Sequence, residues 1–203
     1  MADGKGKSRK DLKRETREAL IAAGIALFSE EGVDLPSLDA ICARAGFTRG
    51  AFYVHFRDRD DFLLAVIDRV LLDFVESVVG TGEAPGGVTD VIGRFLGAAA
   101  AGTVPLMGRR GLVQQLMTRG AQRSDVMRAR MRDLFELALS RLTVIAEGDQ
   151  KAQRVGVAIA PELIAAWLLA GALGLTTLVD VGVELDLGAV EESAHRLLRI
   201  EDD

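Results

Sequence analysis

The chain has 203 residues, 49% of them hydrophobic, with only four prolines and a formal net charge of -5. That length holds one ordinary domain, or a small one joined to a medium one, and the apolar share excludes a disordered chain. A composition rich in Ala, Leu, Arg and Glu points to an all-α fold, and the single cysteine, Cys42, excludes a disulfide framework or a Cys-based zinc site.

The charge is uneven. Residues 1–60 hold 11 Lys/Arg against 10 Asp/Glu, a balance of +1, while the other 143 hold 14 against 20, a balance of -6. An acidic protein can still meet nucleic acid through one basic face. The opening "GKGKSRKDLKR" is the densest basic run. Residues 1–10 are expected to be a disordered basic arm, either solvated or touching phosphates. With no apolar stretch behind this polar start, no secretory signal is expected, and one cysteine suits a reducing compartment, so the expected location is cytoplasmic.

Helix 1 is predicted over Asp11–Glu31, with Leu20, Ala23, Gly24, Leu27 and Phe28 forming one buried stripe before Gly32 ends it. Helix 2 follows Ser37, a good N-cap, and runs to Ala45; Leu38, Ile41, Cys42 and Ala45 share a face, which makes Cys42 a small core residue. Gly46 stops it, and Thr48 can cap a third helix of about two turns. Phe52 and Phe56 anchor that helix to helices 1 and 2, while Arg49, Gly50 and Tyr53 point elsewhere. Asp58 caps helix 4, predicted to run to Val79 with Phe62, Val66, Ile67, Val70 and Phe74 inward.

"GTGEAPGG", residues 80–87, is the clearest break in the chain. Beyond it helices are predicted near Val88–Ala101, Leu106–Arg119, Arg123–Glu147, Pro161–Val181 and Leu187–Ile200. Leu163–Val179 carries no charge and is barely long enough to span a membrane, which takes ~17–25 residues. Glu162 and Asp180 bound it without a Lys/Arg cluster, so burial among helices or at a subunit interface is the preferred reading, and no membrane partner is expected.

Two short helices joined by a glycine-containing turn describe a helix-turn-helix. This explains a third helix that offers so little to a core: its outer face suits a DNA major groove, which is wide enough to admit a helix. Gly50 and Ala51 keep that front small, and the amides after Thr48 can meet a phosphate.

The stretch "ALIAAGIALFSEEG" followed by "SLDAICARAGFTRGAFYVHFRDRDDFLLAV" resembles the DNA-binding domain of the TetR family of bacterial transcriptional regulators over residues 12–75. The resemblance implies a three-helix DNA-binding domain over 11–60, a connecting helix over 61–79, and a helical ligand-sensing and dimerisation domain over 80–203. It implies a near-palindromic DNA operator, a second copy of the chain and an apolar small-molecule effector as partners. Ser37 holds the family's cap position and is counted among the expected DNA-binding residues; Thr48, Tyr53, His55 and Arg59 match phosphate contacts; Arg49, Gly50 and Ala51 match the positions closest to bases. Arg49 suits the O6/N7 pair of guanine, and a chain without Asn cannot read adenine through one.

The resemblance further implies a dimer seam from the last two helices, here Leu163, Trp167, Ala170, Gly174, Leu178, His195, Leu197 and Leu198. Candidate effector contacts are Phe95, Met107, Leu112, Leu116, Met117, Met131, Phe135 and Trp167, with Arg109, Arg110 and Arg119 available to an anionic compound. A ligand-released repressor is the expected function; an activator, or a helical small-molecule-binding scaffold without DNA recognition, are the alternatives. An enzyme is not expected, since no phosphate loop, HExxH or framed acid pair occurs, and no cofactor or metal is implied.

Overall fold

The computed structural model describes residues 8–80, 86–104 and 111–198. Met107, Arg109, Arg110, the first seven residues of the basic arm and the centre of the Gly-rich loop lie outside the described residues. The described residues are all-α, with helices α1 (Arg9–Glu31), α2 (Leu38–Ala45), α3 (Arg49–His55), α4 (Arg59–Val79), α5 (Val88–Ala100), α6 (Leu112–Arg123), α7 (Asp125–Lys151), α8 (Pro161–Asp180) and α9 (Leu187–Leu198). They fall into two compact units, Met1–Ile67 and Asp68–Asp203, divided within α4 rather than at its ends.

Helix α1 begins earlier than its apolar stripe suggests. Ser8 accepts from Asp11 N–H at 3.2 Å while the Asp11 carboxylate accepts from Ser8 N–H at 3.3 Å, a capping box that draws Arg9 and Lys10 into the helix and out of the expected arm. The stripe itself is buried, and Gly24 within it is required by packing. A Cβ there would lie 2.5 Å from the Phe62 ring.

Helix α2 ends because Gly46 adopts the left-handed region (φ 76°), which costs glycine nothing. The Gly46 N–H donates to Ala43 O at 3.1 Å and the Phe47 N–H to Cys42 O at 2.9 Å, the paired bonds of a Schellman stop. Cys42 is buried. Behind α3, the rings of Phe52, Phe56 and Phe62 sit 5.0–5.3 Å apart, and Phe62 also meets Phe28 at 6.3 Å. The main aromatic partner of α3 is thus the first turn of α4, which the expected anchoring to helices 1 and 2 left out.

In the second unit, α7 packs along α8, α6 against α7, and α5 against α9. The core runs from Phe74 and Val78 through Val88, Phe95, Leu142, Ile145, Ile164 and Leu169. Helix α5 starts at Val88 because Asp149, buried on α7, accepts the Val88 N–H at 2.6 Å and is held by the Arg154 Nε at 3.0 Å. Helix α6 starts at Leu112, after Gly111 in the left-handed region (φ 67°), and runs to Arg123 instead of Arg119. Helix α7 follows at Asp125 because Ser124 accepts from Met127 N–H at 3.1 Å.

Candidate nucleic-acid interface

The aromatic cluster fixes which way α3 faces. Phe52 and Phe56 are fully buried, so the intervening and preceding positions turn outward: Arg49, Gly50 and Tyr53 are exposed, and Ala51 is half-buried at the edge. Val54, which composition alone would assign to a core, is also exposed on this side. Its place just after Tyr53, off the Phe52–Phe56 face, is the signal that locates it.

Gly50 is the most informative of these. A Cβ built there would meet only Thr48 Oγ1, at an ordinary 3.7 Å, and the backbone is ordinary helix. Glycine inside a helix costs about 0.5–1 kcal/mol relative to alanine. Within the described chain no contact requires glycine here, and its absence of a side chain leaves the backbone at the front of α3 open to close approach.

Around Gly50 the polar groups are ordered. Thr48 accepts from Ala51 N–H at 3.3 Å, so its oxygen caps α3 and its hydroxyl proton is what remains to offer. Ser37 does the same for α2, accepting from Ala40 N–H at 3.1 Å. Tyr53 stands edge-on to Phe52 with its ring half-exposed, and the Arg49 guanidinium lies 6.0 Å from the Tyr53 ring centre. The Arg49 Nη1 also reaches both carboxylate oxygens of Asp39 on α2, at 3.4 and 3.5 Å. Its charge is therefore reinforced, by the Tyr53 hydroxyl first and by Asp39 next.

His55 closes the helix. It is half-buried against Phe56, and burial, then Lys13 and Arg17, hold its imidazole below the ordinary histidine value. Arg17 in turn lies over the Phe56 ring at 5.2 Å. The N-terminal half of α1 thus brings positive charge beside the end of α3, which a reading of "GKGKSRKDLKR" as a disordered arm did not place.

Arg59 has partners within its own chain. It stands at the start of α4, as predicted, but its Nη1 donates to Pro36 O at 2.6 Å and its Nη2 to Val33 O at 3.2 Å. The side chain ties the α1–α2 connection to α4. Two of the five guanidinium N–H donors are thus taken by carbonyls of its own chain.

The other candidate residues separate into groups. Leu163, Trp167, Ala170, Gly174 and Leu178 share an exposed face of α8, and Leu197 is exposed on α9. His195 is half-buried, and Leu198 is buried in its own unit's core rather than on that face. Among the expected effector contacts, Phe95 and Trp167 line one cleft of about 130 Å³ between the end of α4, α5, α8 and α9, together with Val78, Ile92, Leu175 and Val190. Leu112, Leu116 and Met131 are buried away from that lining, Met117 is half-buried, and Phe135 packs against the core. The exposed Arg119 also lies off the cleft.

A pinned short helix with an open front is the arrangement of a DNA-binding helix-turn-helix, and comparison agrees. Residues 20–66 match the family of bacterial regulatory proteins described as the tetR family. The match spans 47 of the 203 residues, the helix-turn-helix and the start of α4, so it is this N-terminal part that is similar to the tetR family. It is 46% identical over 55 residues to the HTH-type transcriptional repressor BepR of Brucella suis, 27% of this chain and 26% of that protein. It is 42% identical over 64 residues to the HTH-type transcriptional regulator YwcC of Bacillus subtilis, 31% of this chain and 29% of that protein. The matched part spans 19–40% of the length of such curated relatives. Over nearly the whole chain the fold is that of SmeT, described as the repressor of the Stenotrophomonas maltophilia multidrug efflux pump SmeDEF: 26% identity, 93% of each chain, TM-score 0.65. A SmeT–triclosan complex gives 26% identity, 92% of each chain and a TM-score of 0.70.

Proposed function

We propose that this chain is a TetR-like transcriptional repressor that binds a near-palindromic operator as a homodimer and is released by a small, largely apolar effector. The observation that carries the DNA-binding half is Gly50: a glycine the fold does not need, on the open front of a helix whose back is locked by three phenylalanines. Arg49 beside it is the long donor for a guanine edge, with Tyr53, Thr48 and His55 as phosphate partners. Arg59 serves by holding the α1–α2 connection.

The dimer is supported by the exposed face of α8. This helix is long and apolar enough to cross a membrane. Yet Ile164, Ala165, Leu169, Ala172 and Thr176 are buried in its own unit, while Leu163 and Trp167 on the other side are more than half exposed. One buried face and one apolar exposed face suit a helix that packs inward and against a second copy, in a cytoplasmic protein. Two recognition helices about one helical turn apart, ~34–36 Å, then read two half-sites. The apolar cleft lined by Phe95 and Trp167 suits a compact neutral effector; the identity of SmeT's ligand, triclosan, is consistent with that class.

Selection of bound duplexes from a random pool, with purified protein at stated salt, tests the proposal. The expected result is a symmetric site with a guanine in each half. A chain that is monomeric at micromolar concentration and indifferent to every duplex overturns it, and binding of apolar compounds without any duplex binding would point to the scaffold reading instead.

A further inference from the structure

Asp39 is a carboxylate on the surface that a polyanion would approach. It lies in the first turn of α2, where a negative charge suits the helix dipole. That position, however, does not require the contact it makes. Its two oxygens sit 3.5 and 3.4 Å from the Arg49 Nη1, across the turn between α2 and α3, and the Tyr53 ring backs the same guanidinium. Both partners are exposed, so the pair adds little to stability. Its consequence is for binding.

We propose that Asp39 is a specificity-determining residue: in the free protein it holds Arg49, the one long base-reading donor of α3, and so opposes capture of that guanidinium by a phosphate more than by a guanine edge. This rests on the DNA-binding reading above. A guanine offers O6 and N7 together, a bidentate partner for the guanidinium. A phosphate can match that fork, but as an anion it must displace the carboxylate already on the guanidinium, whereas the guanine edge brings no second anion to the pair. Arg49 is thus withheld from the sequence-independent phosphate contacts that make up non-specific binding. Discrimination comes from an interaction set against the wrong partner as well as from one made with the right one.

The test is Asp39→Asn, measured on the selected duplex and on a shuffled duplex of equal length over a range of salt. On the shuffled duplex the variant should bind roughly 3- to 10-fold more tightly, with a log–log salt slope steeper by about one, the value for one more phosphate neutralised. On the selected duplex the gain should be smaller, so the ratio between the two falls. In an Arg49→Ala background the same substitution should leave the slope nearly unchanged, because the withheld cation is gone. An unaltered slope and ratio in Asp39→Asn overturn the inference, and so does a slope change of equal size in the Arg49→Ala background, since Asp39 would then act on phosphates by itself. An equal gain on both duplexes overturns it too. Wild-type protein that binds neither duplex overturns the proposed function, and this inference with it; wild-type protein that binds while Asp39→Asn behaves like it overturns this inference alone. Thermal unfolding of each variant confirms that α2 is intact.

Discussion

Helices α3 and α8 solve a similar problem with different surfaces. Each buries one face: α3 through Phe52, with Phe56 just past its end, and α8 through Ile164, Ala165, Leu169 and Ala172. Each leaves the other face open and places glycine on it, Gly50 in α3 and Gly171 and Gly174 in α8, where an added Cβ would meet little or nothing of the chain. The open face of α3 is cationic and phenolic, with Arg49 and Tyr53; that of α8 is apolar, with Leu163, Trp167 and Leu178. The difference teaches that burial tells which face a helix keeps for itself, while the chemistry of the remaining face tells what comes to it. Polar donors around a glycine suit a polyanion, and an apolar strip suits a like surface.

The largest effect should come from placing charge on the apolar face. Leu163→Glu combined with Trp167→Glu sets like charges across a two-fold contact, an opposition that costs several kcal/mol. Sedimentation should show the dimer dissociation constant rising at least about 1,000-fold. A wild-type chain that is already monomeric would break the comparison at once.

On the polar face, Arg49→Ala should weaken binding to the selected duplex about 10- to 100-fold and relax the guanine preference, in line with ~1–3 kcal/mol per bidentate base contact. Arg59→Ala should behave differently. It removes donors to Val33 and Pro36, so thermal unfolding should show a loss of about 1–3 kcal/mol, with the salt slope of binding unchanged. A slope reduced by about one would return Arg59 to the phosphate role.

The glycines sharpen the contrast further. Gly24→Ala drives a Cβ into the Phe62 ring and should destabilise the N-terminal unit by about 1–3 kcal/mol in chemical unfolding. Gly50→Ala should do the reverse, stabilising the free protein by about 0.5–1 kcal/mol while weakening duplex binding roughly 10-fold. A Gly50→Ala variant that binds DNA as well as wild type would remove the main support for close approach at α3.

The smallest effect is the pH response of His55. Burial, Lys13 and Arg17 lower its proton affinity in the free protein, so its contribution to folding is present above the ordinary value near 6.5 and is lost as pH falls below it. A phosphate beside the ring would act in the opposite direction and favour the imidazolium. Duplex affinity should therefore rise modestly as pH falls from 8 to 6, and His55→Gln should flatten both profiles. Affinity that is level with pH in the wild type would place His55 away from phosphate.

Residue types and spacing alone determined the all-α class, the helix-turn-helix and the outward set Arg49, Gly50 and Tyr53. Those are local matters: an apolar period of 3.6, a cap at Ser37 or Thr48 and a left-handed stop at Gly46 are written within a few residues of where they act. The start of α1 is local as well, set by the capping box of Ser8 and Asp11. Tertiary structure alone decided where long side chains with several possible partners would go. Arg59 turned to carbonyls 23 and 26 positions away, Asp149 crossed to cap α5 61 positions away, Leu198 went inward, and Phe95 and Trp167 met in one cleft while Leu112, Leu116 and Met131 did not. Period and propensity say which face of a helix is apolar, but the partner of a flexible or distant group is fixed only when the chain has folded back on itself and burial has made every unpaired donor and every unfilled space costly.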